Sequence, residues 1–172
     1  MRPLRMTMAL LACSVFSWAT AAPLISELSQ TDRDIVYQLA QGGLTEIQAG
    51  QLAETHSSDP KVKAFAARMV DDHTQTNQKL AHLAAGKSVQ LPPNVSTRQA
   101  KLIALLRGAK GKDFDKLYAD KAGVEAHEET VKLLTQASRT AQDPELKAFA
   151  SETLTPVRTH LEMAKDLNRA VH

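Results

Sequence analysis

"DPKVKAFA" at residues 59–66 recurs as "DPELKAFA" at residues 143–150, and this repeat decides the fold. Each copy opens with aspartate and proline, a pair that starts helices. The carboxylate accepts from free backbone N–H groups, and proline at the first helical position gives up a donor that would have no partner there. Each copy also begins the second of two long helical stretches separated by only a few residues. The chain therefore reads as two helical hairpins.

The first long helix is predicted from Thr31, where Thr31 and Asp34 are spaced as a capping box, to about His56. The second runs from Asp59-Pro60 to about Ala85. "GKSVQLPPNVSTRQ" follows as loop, with a short helix from about Ser96 to Arg107, and "GAKGK" breaks the chain again. A third long helix covers about Asp113 to Ser138, and a fourth runs from Asp143-Pro144 to about Ala170. No stretch shows strand alternation, so the expected class is all-α. Two tight hairpins joined by a long connection imply a ferritin-like four-helix bundle with a crossover containing a short helix. The helix ends so joined lie about 40 Å apart at 1.5 Å per helical residue, so residues 86–112 should run along the bundle and the second and third long helices should be parallel. Pro156 is expected to bend or loosen the fourth helix.

The N-terminus reads as a secretory signal peptide: Arg2 and Arg5, an apolar run from Met6 to Ala19, then "ATAAP". The run is too short and too abruptly ended for a membrane span. Cleavage is expected before Ala22, giving a signal peptide at 1–21, an extension at 22–30 and a bundle domain at 31–170. The expected location is outside the cytoplasm, in the periplasm. An alternative takes "LLAC" as a lipoprotein box with Cys13 acylated, but the apolar stretch continues past Cys13. Cys13 is the single cysteine, so cleavage leaves neither a disulfide nor a thiolate metal site. The 21 basic and 19 acidic side chains become 19 of each without Arg2 and Arg5. That balance argues against nucleic acid as a partner, which needs a concentrated basic excess. No transmembrane helix is expected in the mature chain, and about 150 residues suit one core.

Each long helix carries an apolar stripe broken by an ionisable residue. Ile35, Leu39, Gly42, Glu46, Ala49 and Ala53 share the inner face of the first helix, and Val62, Ala66, Met69, His73, Thr76, Leu80 and Leu83 that of the second. The third packs through Leu117, Val124, Val131 and Leu134, with His127 and Glu128 on either side of that stripe. The fourth aims His160 inward among Leu146, Ala150, Thr153, Val157, Ala164 and Leu167. By position along their helices, Glu46, His73, His127 and His160 fall within about one turn of a common level. One carboxylate and three imidazoles in an apolar bundle cost several kcal/mol unless paired. Two readings stay open: a metal site, or a buried Glu–His network that is purely structural. Imidazoles with one carboxylate suit a single zinc, copper or iron ion, with Asp72 and Glu128 as acceptors for ring N–H groups.

The segments "LTEIQAGQLA", "DPKVKAFAARMVDDHTQTN", "KDFDKLYADKAGVEAHEETVKLL" and "DPELKAFASETLTPVRTHLEMAKDL" resemble the exported bacterial family named domain of unknown function 4142, placed among ferritin-like bundles. The resemblance spans about residues 30–168, and "MVDDH" and "EAHE" are its most specific parts. It implies that Glu46, Asp72, His73, His127 and His160 match positions of the family pattern, but it implies no activity. The carboxylate-bridged iron pair of true ferritins needs a Glu-x-x-His motif on two helices. Here Val70 precedes His73 by three residues and Val157 precedes His160 by three. Ferroxidase chemistry is therefore not expected. No nucleophile triad, phosphate loop or acid/base carboxylate pair marks a hydrolase or transferase. The functions in contention are an exported metal-binding bundle, a metal-free structural or interaction module and, third, a redox enzyme. Protein partners and oligomeric state are not legible.

Overall fold

The computed structural model describes residues 27–172. The signal segment 1–21 with Cys13, and most of the extension at 22–30, lie outside the described residues. The described chain folds as α1 (Gln30–His56), α2 (Pro60–Gly86), α3 (Thr97–Gly108), α4 (Gly111–Leu117), a π-helical segment (Tyr118–Glu125), α5 (Ala126–Thr140) and α6 (Pro144–Val171). It is all-helical: no strand occurs among the described residues. None of its helices is long and apolar enough to cross a membrane.

The repeated Asp-Pro starts behave alike. Asp59 Oδ1 accepts from Lys61 N–H at 2.7 Å, and Asp143 Oδ1 accepts from the N–H groups of Glu145 and Leu146 at 3.0 and 2.9 Å. The start of α1 differs from expectation. Ser29, not Thr31, is the cap, its hydroxyl accepting from Asp32 N–H at 3.1 Å. The Asp32 carboxylate is buried and accepts from the backbone N–H groups of Gln142 and Asp143, tying the first helix to the start of the last. A capping hydroxyl needs only its own turn, whereas Asp32 answers donors more than a hundred residues away. Local spacing alone therefore chose the wrong cap.

The apolar residues gather in two clusters, and their membership gives the helix directions. One cluster joins Ile35 and Leu39 near the start of α1, Leu80 and Ala84 near the end of α2, Leu134 and Ala137 near the end of α5, and Leu146 and Phe149 near the start of α6. The other joins Ala53 late in α1, Val62 and Phe65 early in α2, Ile103 and Leu106 of α3, Phe114 and Tyr118, and Leu167 late in α6. So α2 and the continuous stretch from α4 to α5 run the same way. The chain between them passes from one end to the other, with α3 lying against α1. Ser96 caps α3 in a full capping box with Gln99. At Gly50 α1 and α2 touch closely, for a Cβ there would stand 2.7 Å from Val70 Cγ2 and 3.1 Å from the Ala66 carbonyl. Lys87, at the end of α2, is buried and places Nζ 2.9 Å from Asp143 and 2.7 Å from Glu145, so the two hairpins are also joined by charge.

The helix from Gly111 to Thr140 departs most from its expected form. Leu117, Val124 and Val131 are only half-buried, and the buried line runs through Phe114, Tyr118, Ala122, His127, Leu134 and Ala137. The five-residue step from Ala122 to His127 is the reason. In an α-helix it would turn the side chain about 140° away, whereas i→i+5 bonding winds more slowly and keeps both residues on one face. α6 continues without a break through Pro156, which sits on its exposed side.

Candidate metal centre

Three helices each contribute one histidine to the interior between the two apolar clusters. His73 follows Met69 by one turn on the buried stripe of α2, and His160 stands between Val157 and Ala164 on that of α6. His127, just after the π-helical segment, is turned inward by it. A Cβ on Gly123 would lie 3.3 Å from Ala164 Cβ, so the missing side chain lets α6 approach this segment closely. Ring centroids are 5.5 Å apart for His73–His127, and 5.6 Å for both His73–His160 and His127–His160. One ring nitrogen of each lies within 4.8 Å of the others, the only such group of potential ligands among the described residues.

Hydrogen bonds decide which nitrogens are free. His127 Nδ1–H donates to the Gly123 carbonyl at 2.7 Å, and His160 Nε2–H donates to Asp72 Oδ2 at 2.9 Å. Asp72 is also paired with Arg68, and against the opposing cost of burial the hydrogen bonds from Arg68 and His160 hold its carboxyl below the usual range. The ring atoms left buried and without partners are His73 Nε2, His127 Nε2 and His160 Nδ1. Burial, reinforced by repulsion from the other two rings, pushes His73 down to about 3. Burial likewise takes His127 to about 4, and it lowers His160 even though Asp72 pulls the other way. All three imidazoles are thus neutral at pH 7, each with an unused lone pair.

Neutral nitrogen donors from three rings, with no thiolate and no bridging carboxylate, form a ligand set for a single borderline-soft cation. A metal 2.0–2.1 Å from each nitrogen would need them about 3–4 Å apart, and they lie within 4.8 Å of one another. Asp72 and the Gly123 carbonyl fix two rings by their outer N–H groups, the arrangement that orients ligating histidines and raises their basicity.

The expected site residues do not all meet. His73, His127 and His160 come together, and Asp72 is the acceptor expected of it. Glu46 is 4 % exposed, but its carboxylate does not join the convergent nitrogens. Its Oε2 is buried without a partner beside a separate cleft, and burial raises its pKa well above the usual carboxylate value. Glu128 was expected to accept a ring N–H; it is exposed and bonds to no histidine, because the π-helical winding puts the Gly123 carbonyl beneath His127 instead. Sequence reasoning missed Gly123 and Arg68. A glycine isolated within a helical pattern, four residues before a histidine, was the available signal for the first.

A family model described as Domain of unknown function (DUF4142) matches residues 19–167. No curated protein matches the chain significantly. Among solved structures, the chain is similar to a DUF305 fragment from Deinococcus radiodurans, with a TM-score of 0.72 and 12 % identity over 84 % of this chain and 99 % of that one. It is also similar to CopM in the Cu(II)-bound form, with a TM-score of 0.67 and 12 % identity over 82 % of this chain and 97 % of that one. At such identity the likeness is one of fold.

Proposed function

We propose a metal-binding role for this chain, which belongs to the family described as Domain of unknown function (DUF4142). The ligands are His73, His127 and His160, and the ion is a single transition metal, copper(II) before zinc. One observation carries this reading: three neutral imidazoles converge in the interior, and each has a buried ring nitrogen without a hydrogen-bond partner. A purely structural network would pair such atoms, since each unsatisfied buried polar group costs about 1–3 kcal/mol. Imidazole donors favour copper(II) most among divalent first-row ions. The similar structure of CopM is a Cu(II)-bound form, which supports the choice.

In this reading the fold is a ferritin-like four-helix arrangement that has kept an interior ligand site without the carboxylates of an iron pair. The protein is exported, its first 21 residues removed, and it acts by binding rather than turnover. The test is metal analysis of untagged protein recovered from the periplasm, followed by calorimetric titration with copper(II), zinc and iron(II). One equivalent of copper bound by wild type and none by His73→Ala is the expected result. No binding of any of the three at micromolar concentration defeats the metal reading, and an intact Met1 by mass spectrometry defeats export.

A further inference from the structure

A second site lies apart from the three histidines. A half-open cleft of about 560 Å³ runs between α1, α3 and the stretch from the π-helical segment into α5. Small-molecule pockets commonly measure about 300–1,000 Å³ and combine apolar walls with a few placed polar groups. Here Leu102 and Leu105 of α3 face the cleft from one side, and Leu117 and Leu133 from the other. Leu105 is 62 % exposed and is the one large apolar side chain so exposed among the described residues.

The polar groups are of two kinds. At the rim Arg98 pairs with Glu129 and Lys121 pairs with Glu125, while Lys101 has no ion-pair partner among the described residues. On the inner wall Glu46 is different, being 4 % exposed with Oε2 buried and unpartnered. Burial favours the protonated acid while the cleft is empty, and a bound cation would offset that cost and restore the carboxylate, which can only accept, so the partner that suits Oε2 is a cationic donor. A carboxylate ligand would add repulsion there, and an alcohol would supply a single hydrogen. A protonated amine supplies several donors and the opposite charge, and such charge-assisted bonds are about twice as strong as neutral ones.

We infer that this cleft binds a small organic amine, its ammonium on Glu46 and its apolar body between the leucines of α3 and those of the facing wall. The cleft also has unfilled room beside the acid. A Cβ built on Gly42, which lines it, would meet nothing within 4 Å. Gly42→Leu should therefore fill the apolar space without touching the fold's close contacts, and leucine is the better helix former.

The test titrates the mature protein with hexylamine, hexanol and hexanoate, followed by methyl chemical shifts in NMR. Hexylamine should bind at least tenfold more tightly than either control, shifting the methyls of Leu102, Leu105 and Leu133. Glu46→Gln should erase the preference while leaving copper binding at the histidines intact, and Gly42→Leu should abolish binding of all three probes. Equal affinity for the three head groups, a preference that survives in Glu46→Gln, or undiminished binding in Gly42→Leu each overturns the proposal. So does the absence of hexylamine binding at millimolar concentration. Gly42→Leu keeps the test decisive if Glu46→Gln fails to fold.

Discussion

His160 donates its Nε2–H to Asp72 Oδ2 at 2.9 Å, and this contact between α6 and α2 settles which face of the ring is offered to the interior. With Nε2 committed, Nδ1 must be the lone-pair nitrogen, and it is the atom left buried and unpartnered. Arg68 completes the line from surface to site by pairing with the same carboxylate.

Asp72→Ala is therefore expected to lower metal affinity by about 10–100-fold while leaving the helices formed, the range seen when the outer partner of a ligating histidine is lost. Arg68→Ala, which leaves the Asp72–His160 bond in place, should cost much less. Calorimetric titration of both variants, with circular dichroism as the check on folding, measures this. An unchanged affinity in Asp72→Ala would show that His160 does not need its outer bond.

Metal should stabilise the folded state alone. At a free concentration 100 times the dissociation constant the gain is about 2.7 kcal/mol, or roughly 5–10 °C in melting temperature for a domain of this size. His73→Ala should lose all of that increment, and Glu46→Gln almost none, because the Glu46 carboxylate stands outside the convergent set. Thermal melts with and without copper, paired with a chelator control, separate the two variants.

Acid should destabilise the metal-free protein. His73 at about 3 and His127 at about 4 stay neutral in the fold, while the unfolded chain takes up protons on them below about pH 6.5. The unfolded state then binds more protons, so stability falls as pH drops from about 6.5 toward 4. His160 acts in the same direction. Glu46 opposes them: its raised pKa keeps a proton in the fold that the unfolded chain releases, so its contribution is lost as pH rises above the ordinary carboxylate value. Three imidazoles outweigh one carboxyl, and urea midpoints should be lower at pH 5 than at pH 6.5. Since His73 and His127 stay neutral throughout, copper affinity should fall less between pH 7 and pH 5.5 than it would for three ordinary imidazoles.

The two Asp-Pro caps should differ in strength. Asp59→Ala removes a helix cap, worth about 1 kcal/mol. Asp143→Ala removes the same cap and also one of the two carboxylates that pair with Lys87, leaving Glu145 alone on the ammonium, so its loss should be the larger of the two. Lys87→Met with Asp143→Ala should recover part of the difference. Denaturant unfolding of these three variants and of Lys87→Met alone, each against wild type, closes the cycle.

Much of the fold was legible because its signals are local. Asp59-Pro60 and Asp143-Pro144 mark their helix starts by chemistry confined to one turn. The stripes of α2 and α6 aim His73 and His160 inward by plain 3.6-residue periodicity, and both are buried as expected. The long connection forced the parallel run of α2 and α5, since a chain of that length between two tight hairpins has to travel the length of the domain. What the tertiary structure alone decided concerns His127 and Glu46. The sequence put His127 at the edge of its stripe, because a regular helix was the only winding that periodicity can represent. Packing against Ala164 through Gly123 goes with the wider π-helical turn that swings the ring into the interior. Glu46 shares the depth and the inward direction of the histidines, yet a bundle interior has more than one side. Depth and direction are properties of a single helix, whereas convergence depends on how the packed helices are rotated about their axes, and no residue spacing within one of them records that rotation.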